Sequence, residues 1–215
     1  ELACSKSPLT ARGTCGVDTV APTIGITNDD GALSIGETAA IKFTLSEPAT
    51  DFSVGDVTAS GGALSDFAGT GAAYTATFTP TAVSTEDGVL SVAAGAFTDA
   101  TGNASAASGD HVIAIDTAAP TIAITSGDTS LTLGETAAIN FALSETSTDF
   151  SVDDVTASGG TLSIFAGTGA AYTATFTPTP NSTTDGVVSV AAGAFTDAAG
   201  NASTGDATVS PTVDT

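Results

Sequence analysis

VDTVAPTIGIT, at residues 17–27, returns as IDTAAPTIAIT at residues 115–125, and this repetition decides the architecture of the chain. Residues 18–115 align without a gap to residues 116–213, and about two thirds of the aligned positions are identical. Self-similarity at one long period indicates a tandem array of domains. We therefore expect repeat 1 at residues 18–115, repeat 2 at residues 116–213, and the start of a further repeat at residues 214–215.

Residues 1–17 form a distinct N-terminal segment, because they share nothing with residues 99–115, the part of repeat 1 that would precede another copy. The segment contains both cysteines of the chain, Cys4 and Cys15. A disulfide that closes a short loop is favoured over two free thiols, since the chain has an extracellular character and oxidising compartments maintain disulfides. We expect irregular structure here, with a Cys4–Cys15 bond.

Within each repeat, apolar and polar residues alternate with a period of two, which is typical of half-buried β-strands. Seven short strands per repeat, separated by Gly, Asp, Ser and Pro turns, predict an immunoglobulin-like β-sandwich. The expected fold is all-β: two tandem immunoglobulin-like sandwiches in an extended array, preceded by the irregular segment. The third strand is expected to bulge at Gly55 and Asp56. Pro211 predicts that the last strand of repeat 2 lies at a sheet edge, because proline cannot donate to a central ladder.

Composition and charge exclude several classes of function. The chain has 24 Asp and Glu residues against 3 Lys and Arg, a formal net charge of -21, so nucleic acids and anionic membrane surfaces are not expected partners. Met and Trp are absent and His occurs once, which leaves few side chains for catalysis or zinc binding and argues against an enzyme. No apolar run approaches the roughly 18 residues of a membrane span. The chain starts without Met, as after removal of a leader or in a piece of a longer protein, and both favour an extracellular or cell-surface location.

Four motifs recur in order in both repeats with small changes. In repeat 1 they are GETAAIKFTLSEPATDF at residues 36–52, VGDVTASGGALS at 54–65, YTATFTPT at 74–81 and AAGAFTDATGNAS at 93–105. Their combination resembles the bacterial Ig-like repeats of large surface adhesins and biofilm-associated proteins, and the resemblance covers residues 18–213. It implies a stalk or extender role, often with calcium at domain junctions. It supplies no ligand for adhesion.

Acidic loops at the ends of the sandwiches are the candidate metal sites. In an immunoglobulin-like sandwich the chain enters at the same end as several loops, so carboxylates placed there should gather. Calcium takes 6 to 8 oxygen ligands and needs neither His nor Cys, while magnesium fits less well. Two other interpretations stay open: the acids form turns and solvated loops, or an acidic surface adapts the protein to high salt. The candidate ligands are Asp18, Glu47, Asp99 and Asn103 in repeat 1, Asp116, Glu145, Asp197 and Asn201 in repeat 2, and Asp30 and Asp87 at the end of repeat 1 that faces repeat 2.

The favoured function is structural. The chain is expected to be a rigid extender of a secreted or cell-surface bacterial adhesin or fibre, stiffened by calcium at domain junctions, with adjacent Ig-like repeats or neighbouring subunits as partners. One alternative is a subunit of an extracellular filament, whose N-terminal segment adds as a strand to a neighbour's sheet. Another is a carbohydrate- or receptor-binding module presented by loops at one sandwich end. That module would show loop differences between the copies and exposed aromatics in one, and the sequence has neither.

Overall fold

A computed structural model describes residues 17–215, which form two β-sandwiches, one for each repeat. The predicted all-β architecture is confirmed, while the predicted Cys4–Cys15 disulfide lies outside the described residues. The strands of repeat 1 are β1 Ile24–Asn28, β2 Ala32–Leu33, β3 Ala39–Ala49, β4 Val57–Ser60, β5 Gly62–Pro80, β6 Gly88–Val92 and β7 His111–Ile115. Those of repeat 2 are β8 Ile122–Ser126, β9 Ser130–Thr132, β10 Ala137–Ser147, β11 Val155–Ser158, β12 Gly160–Pro178, β13 Val187–Val190, β14 Ala207–Val209 and β15 Thr212–Asp214.

Two sheets make up each sandwich. In repeat 1 the first sheet has the order β1-β3-β5 and the second the order β2-β7-β6-β4. Repeat 2 has the corresponding sheet β8-β10-β12, and its second layer consists of β11-β13-β14 together with the pair β15-β9. The pairings are antiparallel except that β2 runs parallel to β7 and β9 runs parallel to β15. The last strand of repeat 1 thus lies inside its sheet, between β2 and β6.

Pro211 divides the last strand of repeat 2. The residue is buried, and the strand consists of β14 and β15 where repeat 1 has the continuous β7. As the proline predicts, each part lies at a sheet edge: β14 is the end strand of β11-β13-β14, and β15 pairs with β9 alone. Repeat 1 pairs Ile113 with Gly88, but Pro211 has no N–H to donate, and the bond found at this position of repeat 2 runs from Gly186 N to Pro211 O.

The predicted bulge at Gly55 and Asp56 is instead a single 3-10 turn, Val54–Asp56, that leads directly into β4. Ser53 N and Ser53 Oγ both donate to Asp56 Oδ2, at 2.8 and 2.9 Å, so the acidic side chain closes the start of the turn. Repeat 2 has the same turn at Val152–Asp154. No helix within residues 17–215 is long and apolar enough to cross a membrane.

The core of each repeat reaches the end that carries the acidic loops. Phe52 packs edge-on against Phe43, Tyr74 and Phe97, with ring centroids 5.8, 5.1 and 5.2 Å apart. Such pairs contribute roughly 0.5–1.5 kcal/mol each beyond the burial of their area. Phe97 is fully buried and lies two residues before Asp99, so the aromatic cluster anchors the loop that presents this carboxylate.

Candidate metal centre

Three carboxylates meet at the N-terminal end of each sandwich. Asp18 precedes β1, Glu47 lies in β3, and Asp99 lies in the loop after β6; one carboxylate oxygen from each lies within 4.8 Å of the others. A backbone bridge between Ala49 and Asp99 holds the loop against β3. In repeat 2 the corresponding group is Asp116, Glu145 and Asp197, with the same spacing. The structure thus brings together six of the ten residues that the sequence predicts as ligands.

The Asp99 carboxylate is held by its own loop. Its Oδ1 accepts from Thr101 N and Asn103 N, at 2.8 and 2.9 Å, and its Oδ2 accepts from Asn103 Nδ2 at 2.8 Å. Gly102 has φ +91°, a left-handed conformation that favours glycine and lets the loop turn back on Asp99. Burial opposes ionisation, but the hydrogen bonds from Asn103 and Thr101 outweigh it and lower the pKa of Asp99 to about 2. The carboxylate is therefore ionised and fixed in orientation.

Repeat 2 builds the same loop around Asp197. Its Oδ1 accepts from Ala199 N and Asn201 N, at 2.9 and 2.8 Å, and its Oδ2 accepts from Asn201 Nδ2 at 2.8 Å. Ala199 stands where repeat 1 has Thr101, so the hydroxyl that also donates to Asp99 has no counterpart here. The loop geometry depends on backbone N–H groups and asparagine, which both repeats share.

The glutamates of the two clusters experience the opposite electrostatic effect. Burial, and then the negative charges of Asp18 and Asp99, raise the pKa of Glu47. Burial, and then the charges of Asp197 and Asp116, raise the pKa of Glu145. Lys42 is the only Lys or Arg in residues 17–215, so each cluster has little positive charge to compensate its carboxylates. This excess of negative charge favours a bound cation.

The donor set consists of oxygen ligands of the kind that calcium binds. Calcium binds oxygen at 2.3–2.6 Å, so two ligands of one ion can lie up to about 5 Å apart. One oxygen from each carboxylate of a cluster lies within 4.8 Å of the others, so a single ion could reach all three. Carboxylate oxygens are the hard ligands that calcium prefers, and the ten candidate positions include no thiol or imidazole.

The two predicted asparagine ligands brace the loops and the chain entry. Asn103 Nδ2 donates to Asp18 O at 3.3 Å, and Asn201 Nδ2 donates to Asp116 O at 2.9 Å. The amide oxygen of Asn201 accepts from Ile35 N of repeat 1 at 2.7 Å, so it is directed at the neighbouring repeat. This contact between the repeats is not evident from the sequence, where its only sign is an apolar residue beside a turn glycine in both copies.

Asp30 and Asp87 are not brought together with other acids. Asp30 is exposed and closes its own turn, because its Oδ1 accepts from Ala32 N at 3.2 Å. Asp87 is exposed beside Gly88 at the start of β6. Among residues 17–215, the groups of three or more acidic side chains close enough to hold an ion include neither of them.

Two linker residues at the junction between the repeats, Asp116 and Thr117, are held by backbone hydrogen bonds. Asp116 N donates to Leu33 O of repeat 1 at 2.9 Å, while the carbonyl of Asp116 accepts from Asn201 of repeat 2. Thr117 is 6% exposed, and its N donates to Ser84 O of repeat 1 at 2.8 Å. The linker is therefore bound by both sandwiches, and Asp116 also contributes its carboxylate to the second cluster.

A scan against models of known protein families matches a bacterial Ig-like domain to residues 18–115 and again to residues 116–213. The chain belongs to the bacterial Ig-like domain family. The predicted resemblance and the immunoglobulin-like fold of both repeats are confirmed. A search of curated proteins finds no match to these Ig-like repeats.

Solved structures with similar folds include two bacterial adhesins. The Escherichia coli adhesin FdeC is 13% identical with a TM-score of 0.48, and the alignment covers 93% of this chain and 66% of that chain. The Yersinia pseudotuberculosis adhesin InvE is 15% identical with a TM-score of 0.38, covering 95% and 62%. The ectodomain of mouse nectin-like molecule 4 is 10% identical with a TM-score of 0.36, covering 87% and 62%. The Ig-like repeats span less than two thirds of each of these chains, and likeness at such identity concerns the fold alone.

Proposed function

We propose that the Ig-like repeats are a rigid structural extender in a secreted or cell-surface bacterial adhesin or fibre. The observation that carries this proposal is the junction, where Asp116 is bound by both repeats through its N–H and its C=O. Bending at this residue breaks hydrogen bonds that contribute roughly 0.5–1.5 kcal/mol each, so the linker resists acting as a hinge. The partners in this role are adjacent Ig-like repeats of the same chain or neighbouring subunits.

Calcium is the proposed stiffening ion. Asp116 offers a carboxylate from the linker, while Glu145 and Asp197 offer theirs from the body of repeat 2. A cation bound by all three ties the linker to the sandwich and neutralises the repulsion that contributes to the raised pKa of Glu145. The cluster of Asp18, Glu47 and Asp99 would do the same for the chain that enters repeat 1.

Thermal unfolding and small-angle X-ray scattering test this function, with calcium, magnesium or a chelator at matched ionic strength. Calcium at 100 times its Kd should add about 2.7 kcal/mol to the free energy of unfolding. It should also narrow the distribution of particle shapes in scattering. Magnesium should have a smaller effect on both measurements. Glu145→Gln should weaken the calcium response. Glu86→Gln removes the same charge at an exposed position outside both clusters and should keep the response. Identical curves in all three solutions would show that calcium has no role and that the acids form a solvated or salt-adapted surface.

The two alternative functions have less support. Addition of an N-terminal strand to a neighbour depends on residues 1–17, of which only Val17 is described. A carbohydrate-binding module needs exposed aromatic rings for stacking, and within residues 17–215 the large exposed hydrophobic side chains are all Val, Ile or Leu. The acidic ends and the bound linker favour the extender.

A further inference from the structure

Repeat 1 contacts repeat 2 through an apolar surface at its C-terminal end, here named the C-terminal face. This face lines a groove of about 620 Å³ together with Ala119, Thr121 and Thr204 of repeat 2. Besides the bonds of the linker residues Asp116 and Thr117, one hydrogen bond joins the two sides, from Ile35 N to Asn201 Oδ1. The residues of the C-terminal face of repeat 1, with Thr117 of the linker, are Ile35, Gly36, Glu37, Thr38, Thr79, Pro80, Ala82, Val83 and Thr117.

Repeat 2 carries the same face at its own C-terminal end. Eight of the nine counterparts line a groove of about 170 Å³, and six of the nine are identical to those of repeat 1. The three differences are Leu133 for Ile35, Pro180 for Ala82 and Asn181 for Val83. Leu133 is 74% exposed, whereas Ile35 at the junction is 51% exposed. No other part of residues 17–215 covers this second face. Its residues are Leu133, Gly134, Glu135, Thr136, Thr177, Pro178, Pro180 and Thr215.

The side chain of Asn201 provides the polar part of the existing junction. The parallel pairing of β2 with β7 stops at Leu33 and Ile115. Just beyond it, Asn201 Oδ1 accepts from Ile35 N while Asn201 Nδ2 donates to Asp116 O. A carboxamide has one acceptor oxygen and an N–H donor, as a peptide group has, so it can stand between two backbone groups that would otherwise pair with each other.

At the C-terminal end of repeat 2 the corresponding strands lie in register for one more residue pair. There β9 and β15 pair one step further than their counterparts in repeat 1, to Thr132 and Asp214. At the N-terminal end of repeat 1, Asn103 Nδ2 donates to the loop aspartate and to the carbonyl of the entering chain, as Asn201 Nδ2 does in repeat 2, but within residues 17–215 nothing donates to its Oδ1. Asn103 is half-buried, whereas Asn201 is 3% exposed. Each repeat therefore possesses both halves of the junction.

We propose that the C-terminal face of repeat 2 docks the N-terminal end of another repeat of this type. The asparagine of the incoming Gly-Asn loop inserts between Leu133 N and Asp214 O, and the small apolar residues beside it cover Leu133 and Pro178. Glu135 does not oppose this contact, since its carboxylate accepts from Thr132 N and Oγ1 at 2.8 and 2.9 Å. The inference rests on the extender role and deepens it, but it requires neither calcium nor the carboxylate clusters.

The test uses a three-repeat chain, in which a further copy of residues 116–213 follows Val213. Backbone 15N relaxation in chelator reports whether the third repeat tumbles together with repeat 2. Docking predicts one rotational correlation time for all three repeats. It also predicts that the Leu133 side chain becomes covered and that the backbone amides around residue 133 exchange their hydrogens more slowly. Leu133→Asp should abolish both effects between repeats 2 and 3. In the two-repeat chain the same variant should leave the melting temperature unchanged, because Leu133 is exposed there.

Ile164→Asp is the matched control, since Ile164 is 77% exposed and is absent from both faces. It should leave the common tumbling intact. Independent tumbling of the third repeat in the wild-type sequence, while repeats 1 and 2 move together, would overturn the proposal. That result would leave the extender role standing, whereas independent motion of repeats 1 and 2 would refute the rigid extender itself.

Discussion

Replacing Asn201 by alanine should both destabilise repeat 2 and loosen the junction. The variant loses the bonds from Asn201 Nδ2 to Asp197 Oδ2 and Asp116 O, and the bond from Ile35 N to Asn201 Oδ1. Two of these are neutral bonds of about 1 kcal/mol, and the bond to the ionised Asp197 contributes roughly 1.5–3 kcal/mol. The free energy of unfolding of repeat 2 should therefore fall by about 4 kcal/mol.

Asn103→Ala is an internal control for this estimate. Asn103 Nδ2 donates to Asp99 Oδ2 and to the Asp18 carbonyl, as Asn201 does in repeat 2, and also to Thr101 Oγ1, where Asn201 Nδ2 has the Ala118 carbonyl at 3.4 Å. Its two N–H groups share these acceptors, and within residues 17–215 it makes no bond across a junction, so its loss should be about 3 kcal/mol. The difference of about 1 kcal/mol, roughly fivefold in the unfolding equilibrium, is the expected contribution of the contact with Ile35. Hydrogen exchange of the core amides of Phe43 and Phe141 in chelator measures each repeat separately. Scattering should show a bent or flexible particle for Asn201→Ala alone. Equal losses with unchanged scattering would refute the role of Asn201 as a junction residue.

Three further predictions concern the carboxylates and the tight turns. Because the pKa of Glu145 is raised in the folded protein, ionisation of this residue opposes folding as pH rises above 4.5. In chelator at neutral pH, Glu145→Gln should therefore raise the free energy of unfolding by less than about 1 kcal/mol. In calcium the variant should be less stable than wild type, and melting curves in the two solutions would show both effects. Because the pKa of Asp99 is lowered in the folded protein, its ionisation stabilises the fold above pH 3.8, and this contribution disappears as pH falls towards about 2. Asp99→Asn should therefore lower the melting temperature at pH 7, and the difference in melting temperature from wild type should shrink as the pH is lowered. A Cβ at Gly160 would lie 2.3 Å from the Thr177 carbonyl oxygen, so Gly160→Ala should lower the free energy of unfolding, measured in urea, by about 1–3 kcal/mol. Gly31 has open space around it, so Gly31→Ala should leave the free energy of unfolding unchanged.

The sandwich is predictable from sequence because its strands alternate over their full length and its turns contain Gly, Pro and Asp. The acidic end is predictable for a topological reason: Asp18 precedes β1, Glu47 lies near the end of β3, and Asp99 follows β6, so all three come to one end of the sandwich. The sequence predicts where these three carboxylates lie. Their binding of a metal ion stays a prediction. The short strands β2 and β9 have too few residues for periodicity to reveal them. Their parallel partners lie far along the chain, so the pairing of β7 with β2 and of β15 with β9 was also hidden.

The junction could not be predicted because it depends on how two folded bodies meet. Asn201 and Ile35 lie in different repeats, and no local pattern connects a loop amide with an exposed apolar residue beside a distant turn. The duplication did offer one sign: position 35 is apolar and next to glycine in both copies, at a turn where a polar residue would be expected. An isolated exposed apolar side chain needs no explanation, but one kept at a turn in each repeat suggests a contact.

Asp116 links the mechanical and the electrostatic properties of the chain. Its N–H is bound by repeat 1, its C=O by repeat 2, and its carboxylate faces Glu145 and Asp197, so any force along the chain must pass through this residue. Without a cation, the same residue brings an extra negative charge towards two others, and repulsion within the cluster opposes the geometry that the two backbone bonds hold. With a cation the repulsion becomes attraction, and the linker is held by three kinds of contact rather than two. The proposed dependence of stiffness on calcium therefore rests on the position of a single aspartate, Asp116, whose counterpart in repeat 1 is Asp18.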